Sequence, residues 1–142
     1  MPRLQLVTLK GVKVDEEVYE VLLPTPDGQI GVFAHHSPLV TQAVNGVIKI
    51  RKKQGDPDDL MVVYACYGGV IEVANNIVKV LADEADLAED LAEAKEQAAY
   101  QAALKLRSEA KDQISLDKAQ QLIDRTAVRL QVAGLKRHRR IK

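Results

Sequence analysis

A single cysteine in 142 residues has nothing to pair with inside the chain, so no disulfide framework holds this protein together. That residue, Cys66, stands in the apolar run Leu60-Met61-Val62-Val63-Tyr64-Ala65-Cys66-Tyr67. A small buried hydrophobe is expected there, whereas a nucleophile would need a base and an orienting group brought beside it. No run approaches the roughly 18 apolar residues that cross a membrane as a helix, and no apolar segment follows basic residues at the N-terminus. The expectation is a chain neither inserted nor exported by its own sequence. Aromatic residues make up only 4%, so stacking platforms for nucleic acid bases are scarce. The length leaves room for one modest core and a small appendage, which excludes an enzyme with two substrate-sized domains. Net charge is lacking as well, but its absence is an average over unlike parts. Residues 1–82 are nearly balanced; residues 83–112 hold nine acids against four bases, and residues 113–142 hold eight bases against two acids.

What is present changes character once along the chain. Up to residue 82 the apolar residues fall in short, β-branched, partly alternating runs: Leu4 to Leu9, Val18 to Leu23, Val47 to Arg51, Leu60 to Tyr67, Val70 to Val73 and Ile77 to Leu81. Turn residues separate them, namely Pro26-Asp27-Gly28, Asn45-Gly46, Gly55-Asp56-Pro57-Asp58, Gly68-Gly69 and Asn75-Asn76. Strands of this kind each offer one apolar face and need a second layer to cover it, so residues 1–83 are expected to form an antiparallel β-sandwich or barrel. From Asp83 to Ala133 there is no glycine or proline, and alanine becomes common. Leu87, Leu91, Ala94, Ala98, Ala102 and Leu106 step by three or four, which predicts a helix over about 84–110 with acidic residues in its first turn. Ser115-Leu116-Asp117 can cap a second helix that carries Leu116, Ala119, Ile123, Ala127 and Leu130 on one side. Two helices joined by a short turn pack antiparallel, so residues 84–142 are expected to form a helical hairpin. An alanine stripe buries little, at about 0.8 kcal/mol per methylene. The hairpin is therefore expected to be marginal alone and able to leave its resting position.

Candidate chemistry concentrates between residues 25 and 39, TPDGQIGVFAHHSPL. His35 and His36 suggest a metal, yet neighbours on an extended chain point to opposite sides and no further ligand lies at a matching spacing. No metal is expected. Gly28-Gln29-Ile30-Gly31 runs into more extended chain rather than a helix N-terminus, so it is not a phosphate loop. The basic tail Leu135-Lys136-Arg137-His138-Arg139-Arg140-Ile141-Lys142 admits a nucleic-acid-binding module as an alternative, but a solvated helix end or an acidic protein surface suits it better. Taken alone, the residues indicate binding or regulation rather than catalysis.

Two blocks go further. Leu23-Pro24-Thr25-Pro26-Asp27-Gly28-Gln29-Ile30-Gly31-Val32-Phe33 with His36-Ser37-Pro38-Leu39, and then Gly68-Gly69-Val70-Ile71-Glu72-Val73-Ala74-Asn75-Asn76-Ile77-Val78-Lys79-Val80-Leu81-Ala82-Asp83, resemble the ε subunits of rotary F-type ATP synthases of bacterial or chloroplast type. The resemblance extends over the whole chain. It implies a sandwich of about ten strands on the central stalk of a proton-translocating complex, followed by an antiparallel two-helix hairpin and without catalytic activity or cofactor of its own. It further implies that Asp27, Gly28, Gln29 and Ile30 face the c-ring, and that His36, Ser37 and Pro38 meet the γ subunit. The hairpin would extend toward the catalytic α/β hexamer and block ATP hydrolysis, with Arg125, Arg129, Lys136, Arg137, Arg139 and Arg140 as candidate contacts. Nucleic acid is then not a partner, and the membrane is met only through the complex, on the cytoplasmic face of a bacterial inner membrane or the stromal face of a thylakoid. Some relatives bind ATP in the first helix through Ile/Leu-Asp-x-x-Arg-Ala. The matching stretch here is Leu91-Ala92-Glu93-Ala94-Lys95-Glu96, where Ala92 cannot accept a hydrogen bond, Lys95 lacks the guanidinium fork and Glu96 adds negative charge. No nucleotide binding is expected.

Overall fold

The computed structural model describes residues 1–141, with side chains described through Leu135. Two compact units divide the chain, Met1–Leu87 and the segment from Ala88 on. The first contains eight strands: β1 (Arg3–Thr8), β2 (Gly11–Glu17), β3 (Glu20–Thr25), β4 (Gly28–Val32), β5 (Leu39–Arg51), β6 (Val62–Ala74), β7 (Ile77–Ala82) and β8 (Ala85–Leu87). They pair in the order β2-β1-β7-β6-β5-β3-β4, with β8 on β6.

That continuous order folds into two layers because three strands turn a corner together. The second half of β6, Gly69–Ala74, pairs with β7 and with Leu39–Ala43 of β5, and β7 continues to β1 and β2. The first half pairs with β8 and with Asn45–Ile50 of β5, and β5 continues to β3 and β4. With β5 and β6 counted in both layers, eight strands make ten strand segments, which reconciles the observed number with the implied one. The break falls at Val44, at Gly68 and at Asp83–Glu84, where strand pairing lapses in all three strands. Asn45-Gly46 and Gly68-Gly69 therefore lie inside 13-residue strands rather than in turns between shorter ones. Gly68 (φ 84°) and Gly69 (φ 141°) take backbone conformations that side chains disfavour, and this lets β6 pass from layer to layer. The expected runs also missed β2, β4, β8 and the first half of β5. Neither did the sequence expectation foresee that β1 and β7 pair parallel, the one departure from an antiparallel sandwich.

The inward side chains of both layers meet in one core. Leu4 and Leu6 of β1, Val21 and Leu23 of β3, Ile48 and Ile50 of β5, and Val78 and Val80 of β7 alternate with outward residues. Inward residues on β6 are Tyr64 and Cys66 before the corner but Ile71 and Val73 after it, so the parity changes where the glycines sit. At the end of β5, Arg51 binds the Glu20 carboxylate at 3.1 Å and that of Asp58 at 2.6 Å, which ties the link between β5 and β6 to β3.

The second unit holds α1 (Glu93–Glu109) and α2 (Gln113–Ile141), preceded by a 3-10 turn over Ala88–Asp90. Helix α1 begins later than expected because Ala85–Leu87 gives its backbone to β6 as β8, so the acidic pair Asp83-Glu84 is not a helical first turn. The phase of its buried stripe changes as a result. Ala94, Ala98 and Ala102 are exposed and Leu106 is half exposed, while Glu96 and Ala103 are buried, with Ala99, Tyr100 and Leu104 half-buried beside them. Asp112 rather than Ser115 starts α2: its carboxylate accepts the Ser115 backbone N–H at 2.7 Å, and these hydrogen bonds hold its pKa below the usual range. On α2, Ala119, Ile123, Thr126 and Ala133 are buried; Thr126 replaces the expected Ala127, which is exposed.

Candidate functional site

A two-residue turn, Pro26-Asp27, joins β3 to β4 across the Thr25–Gly28 pair. Proline presets the φ of the first turn position, and Gly28 supplies the φ of 112° that closes the hairpin. The Thr25 hydroxyl donates to the Gly28 carbonyl at 2.6 Å and accepts the Asp27 N–H at 3.3 Å, so the tip is rigid. Asp27, Gly28 and Gln29 are exposed. Ile30 is half-buried and packs against the core, so the exposed tip comprises the three residues before it.

Phe33 to Pro38 link the two layers at the other end. Phe33 meets Tyr19 edge to face with ring centroids 5.6 Å apart. His35 sits in the left-handed region at φ 61°, and its N–H donates to Asn76 Oδ1 at 2.9 Å. Asn76 Nδ2 in turn donates to the Met1 carbonyl at 3.2 Å, which pins the loop to the β6–β7 turn and the first residue. His36 Nδ1 lies 2.7 Å from the Ser37 carbonyl. A carbonyl only accepts, so Nδ1 carries the proton there, which leaves Nε2 as the acceptor of the neutral ring. Ser37 and Pro38 are exposed and His36 half-buried. No group of three or more potential metal ligands occurs among the described residues.

Strand β4 thus separates the two candidate segments. Thr25 and Gly28 lie at the corner end of their layer and Val32 at the opposite end; five strand residues cover about 17 Å. The loop of His36-Ser37-Pro38 then enters β5 at Leu39, which pairs with Val73 far from the corner.

A third feature was not anticipated. Strand register places Val12, Val7, Leu81 and Val70 in one row across β2, β1, β7 and β6, ending on Gln42 of β5. The row faces outward, with Val12 66%, Leu81 48% and Val70 45% exposed. It crosses four strands without a charge, beside the charged row Asp15, Gln5, Lys79, Glu72. The signal lay in Val80-Leu81 and Gly69-Val70-Ile71, where apolar residues occupy both parities of a strand that needs only one for the core.

On α2, Arg125 and Arg129 are four residues apart and share a face; Arg125 is exposed and Arg129 partly so. The side chains of Lys136, Arg137, Arg139 and Arg140 lie outside the described residues. Ala92 occupies the N-cap of α1 and offers no capping hydrogen bond, and Lys95 is exposed.

Cys66 is a core residue. Burial pushes its thiol up to about 11 from an ordinary 9.0, which leaves no thiolate at neutral pH. Because the folded state holds the proton more tightly than the unfolded chain, this residue's contribution to stability is complete below pH 9 and is lost as pH rises through about 11. The loss amounts to about 2–3 kcal/mol. Denaturant midpoints measured below and above that window should fall less in Cys66→Ala than in the native chain.

Three comparisons place this geometry. Residues 2–88 match the family model described as ATP synthase, Delta/Epsilon chain, beta-sandwich domain. The ATP synthase epsilon chain of Herpetosiphon aurantiacus is 36% identical over 138 residues, covering 96% of this chain and 97% of that one. That of Gloeobacter violaceus is 34% identical over 132 residues, covering 93% and 96%. The chloroplastic epsilon chain of Cyanidioschyzon merolae is 35% identical over 89 residues, 63% of this chain and 64% of its own. Among solved structures, a chain of the Euglena gracilis mitochondrial ATP synthase OSCP/F1/c-ring assembly superposes with a TM-score of 0.77 over 92% of this chain and 79% of that one. At 22% identity it speaks for the fold alone.

Proposed function

The chain belongs to the ATP synthase delta/epsilon chain family, a non-catalytic part of the central stalk of the membrane-associated synthase, and from that premise we propose that it joins the γ subunit to the c-ring as the rotor turns. The observation that carries this reading is the placement of two shaped segments at opposite ends of one rigid sandwich. Asp27, Gly28 and Gln29 form a polar tip fit for the polar loops of a c-ring, and His36, Ser37 and Pro38 form the end that meets γ. The outward row of Val12, Val7, Leu81 and Val70 adds an apolar surface for γ, because water-exposed valines and leucine in a contiguous row gain free energy when a partner covers them.

The helices from Ala88 on form a separate regulatory element in this reading, reaching the catalytic α/β hexamer and restraining ATP hydrolysis. A cationic α2, with eight bases against two acids over residues 113–142, suits an acidic segment of a catalytic subunit. Within a proton-driven complex, the chain itself sits peripherally on the cytoplasmic or stromal side of the membrane. Nucleotide is not a ligand, since Ala92 and exposed Lys95 supply neither the acceptor nor the fork that the family motif uses. Single cysteines placed at Gln29 and Ser37, cross-linked within the assembled complex, test whether the two ends meet different partners.

A further inference from the structure

Among the described residues two polar side chains are buried on the helical pair, and only one of them, Thr126, has a hydrogen-bond partner for its side chain. Thr126 on α2 is 1% exposed, and its hydroxyl donates to the Leu122 carbonyl at 2.8 Å inside its own helix. Glu96 on α1 is 6% exposed. Its backbone N–H donates to the Ala92 carbonyl at 3.0 Å, but among the described residues no hydrogen bond or ion pair reaches its carboxylate. It stands seven residues before Ala103, which is fully buried, so the two lie two turns apart on one face of α1. Helix α1 packs on α2, and an apolar residue belongs at this position.

We propose that Glu96 is a built-in weak point that holds the closed pairing of α1 and α2 close to the threshold of opening. The proposal rests on the reading of the hairpin as a movable regulator. The buried carboxyl group has left water without a hydrogen-bond partner among the described residues, and the free energy this costs returns when the helices part and water reaches the side chain. The pairing is lopsided: α2 buries Ile123, Val128 and Val132, but α1 offers them mainly Ala99 and Ala103, which bring few methyl groups, and Ala92 leaves the start of α1 uncapped. The position is also selective. An acidic residue in the first turn favours α1 as a helix through its macrodipole, so Glu96 weakens the pairing while supporting the helix that must survive it.

Amide hydrogen exchange on the full chain tests the inference. In Glu96→Met, which keeps length and helix propensity and removes the polar group, exchange in α1 and α2 should slow about tenfold while β6 is unchanged. Gln101→Met, at an exposed position of the same helix, should change it by less than about threefold. Exchange that is unchanged or faster in both Glu96→Met and Glu96→Ala overturns the inference. ATP hydrolysis by complexes carrying Glu96→Met separates the two claims. Slowed exchange with unaltered hydrolysis upholds Glu96 as the weak point and counts against inhibition by the hairpin.

Discussion

Alanine at position 69 should destabilise the sandwich by about 3 kcal/mol or more, a large part of the stability of a domain this size. Two costs combine there. The φ of 141° is a conformation that residues with a Cβ rarely adopt. A Cβ on Gly69 would also fall 2.8 Å from Ala82 Cα and still closer to the Leu81 carbonyl oxygen. Both neighbours are backbone of β7, so no rotamer can yield, and β7 must leave β6 at the corner. Gly55→Ala is the matched control. Its φ of 87° is strained too, but nothing lies within 4 Å of the new methyl group, so the cost should stay near 1 kcal/mol. Urea denaturation of the two variants measures the difference. Equal midpoints would show that the corner does not depend on close approach at Gly69.

Removing everything after Leu87 should raise ATP hydrolysis by the reconstituted complex about fivefold or more, the range of ordinary allosteric couplings. The cut belongs after Leu87 because Ala85–Leu87 completes a layer as β8, and the Tyr67 hydroxyl donates to the Asp86 carboxylate at 2.8 Å. A cut after Asp83 would injure the sandwich and confuse loss of restraint with loss of binding. Equal hydrolysis with and without the helices would remove the inhibitory role and leave the rotor role standing.

The two parts of the chain were unequally legible in the sequence. Alternation revealed the core strands, since Leu4, Leu6, Val21, Leu23, Val78 and Val80 each sit two residues from the next inward position. It could not reveal the corner. Glycine pairs read as turns on local grounds, and only tertiary pairing distinguishes a turn from a strand that bends between layers. Strand β8 was hidden for the same reason, because three residues take their conformation from Tyr64–Cys66 and not from their own propensity. That shift moved the helix start and with it the stripe, so the expected stripe of Leu91, Ala94 and Ala98 passed over Glu96, which is buried. The contact segments fared better. Thr25-Pro26-Asp27-Gly28 encodes its turn in the residues themselves, whereas the tether from His35 to Asn76 spans 41 positions and has no local signature.

The most direct test of the two-ended rotor is cross-linking in the intact complex, with Gln29→Cys or Ser37→Cys in this chain and single cysteines in the c subunit's polar loop or in γ. Buried Cys66 stays silent, so its replacement is unnecessary. The account predicts that Gln29→Cys forms an adduct with the c subunit and Ser37→Cys one with γ. Adducts of both cysteines with the same subunit, or of neither with any subunit, would contradict it.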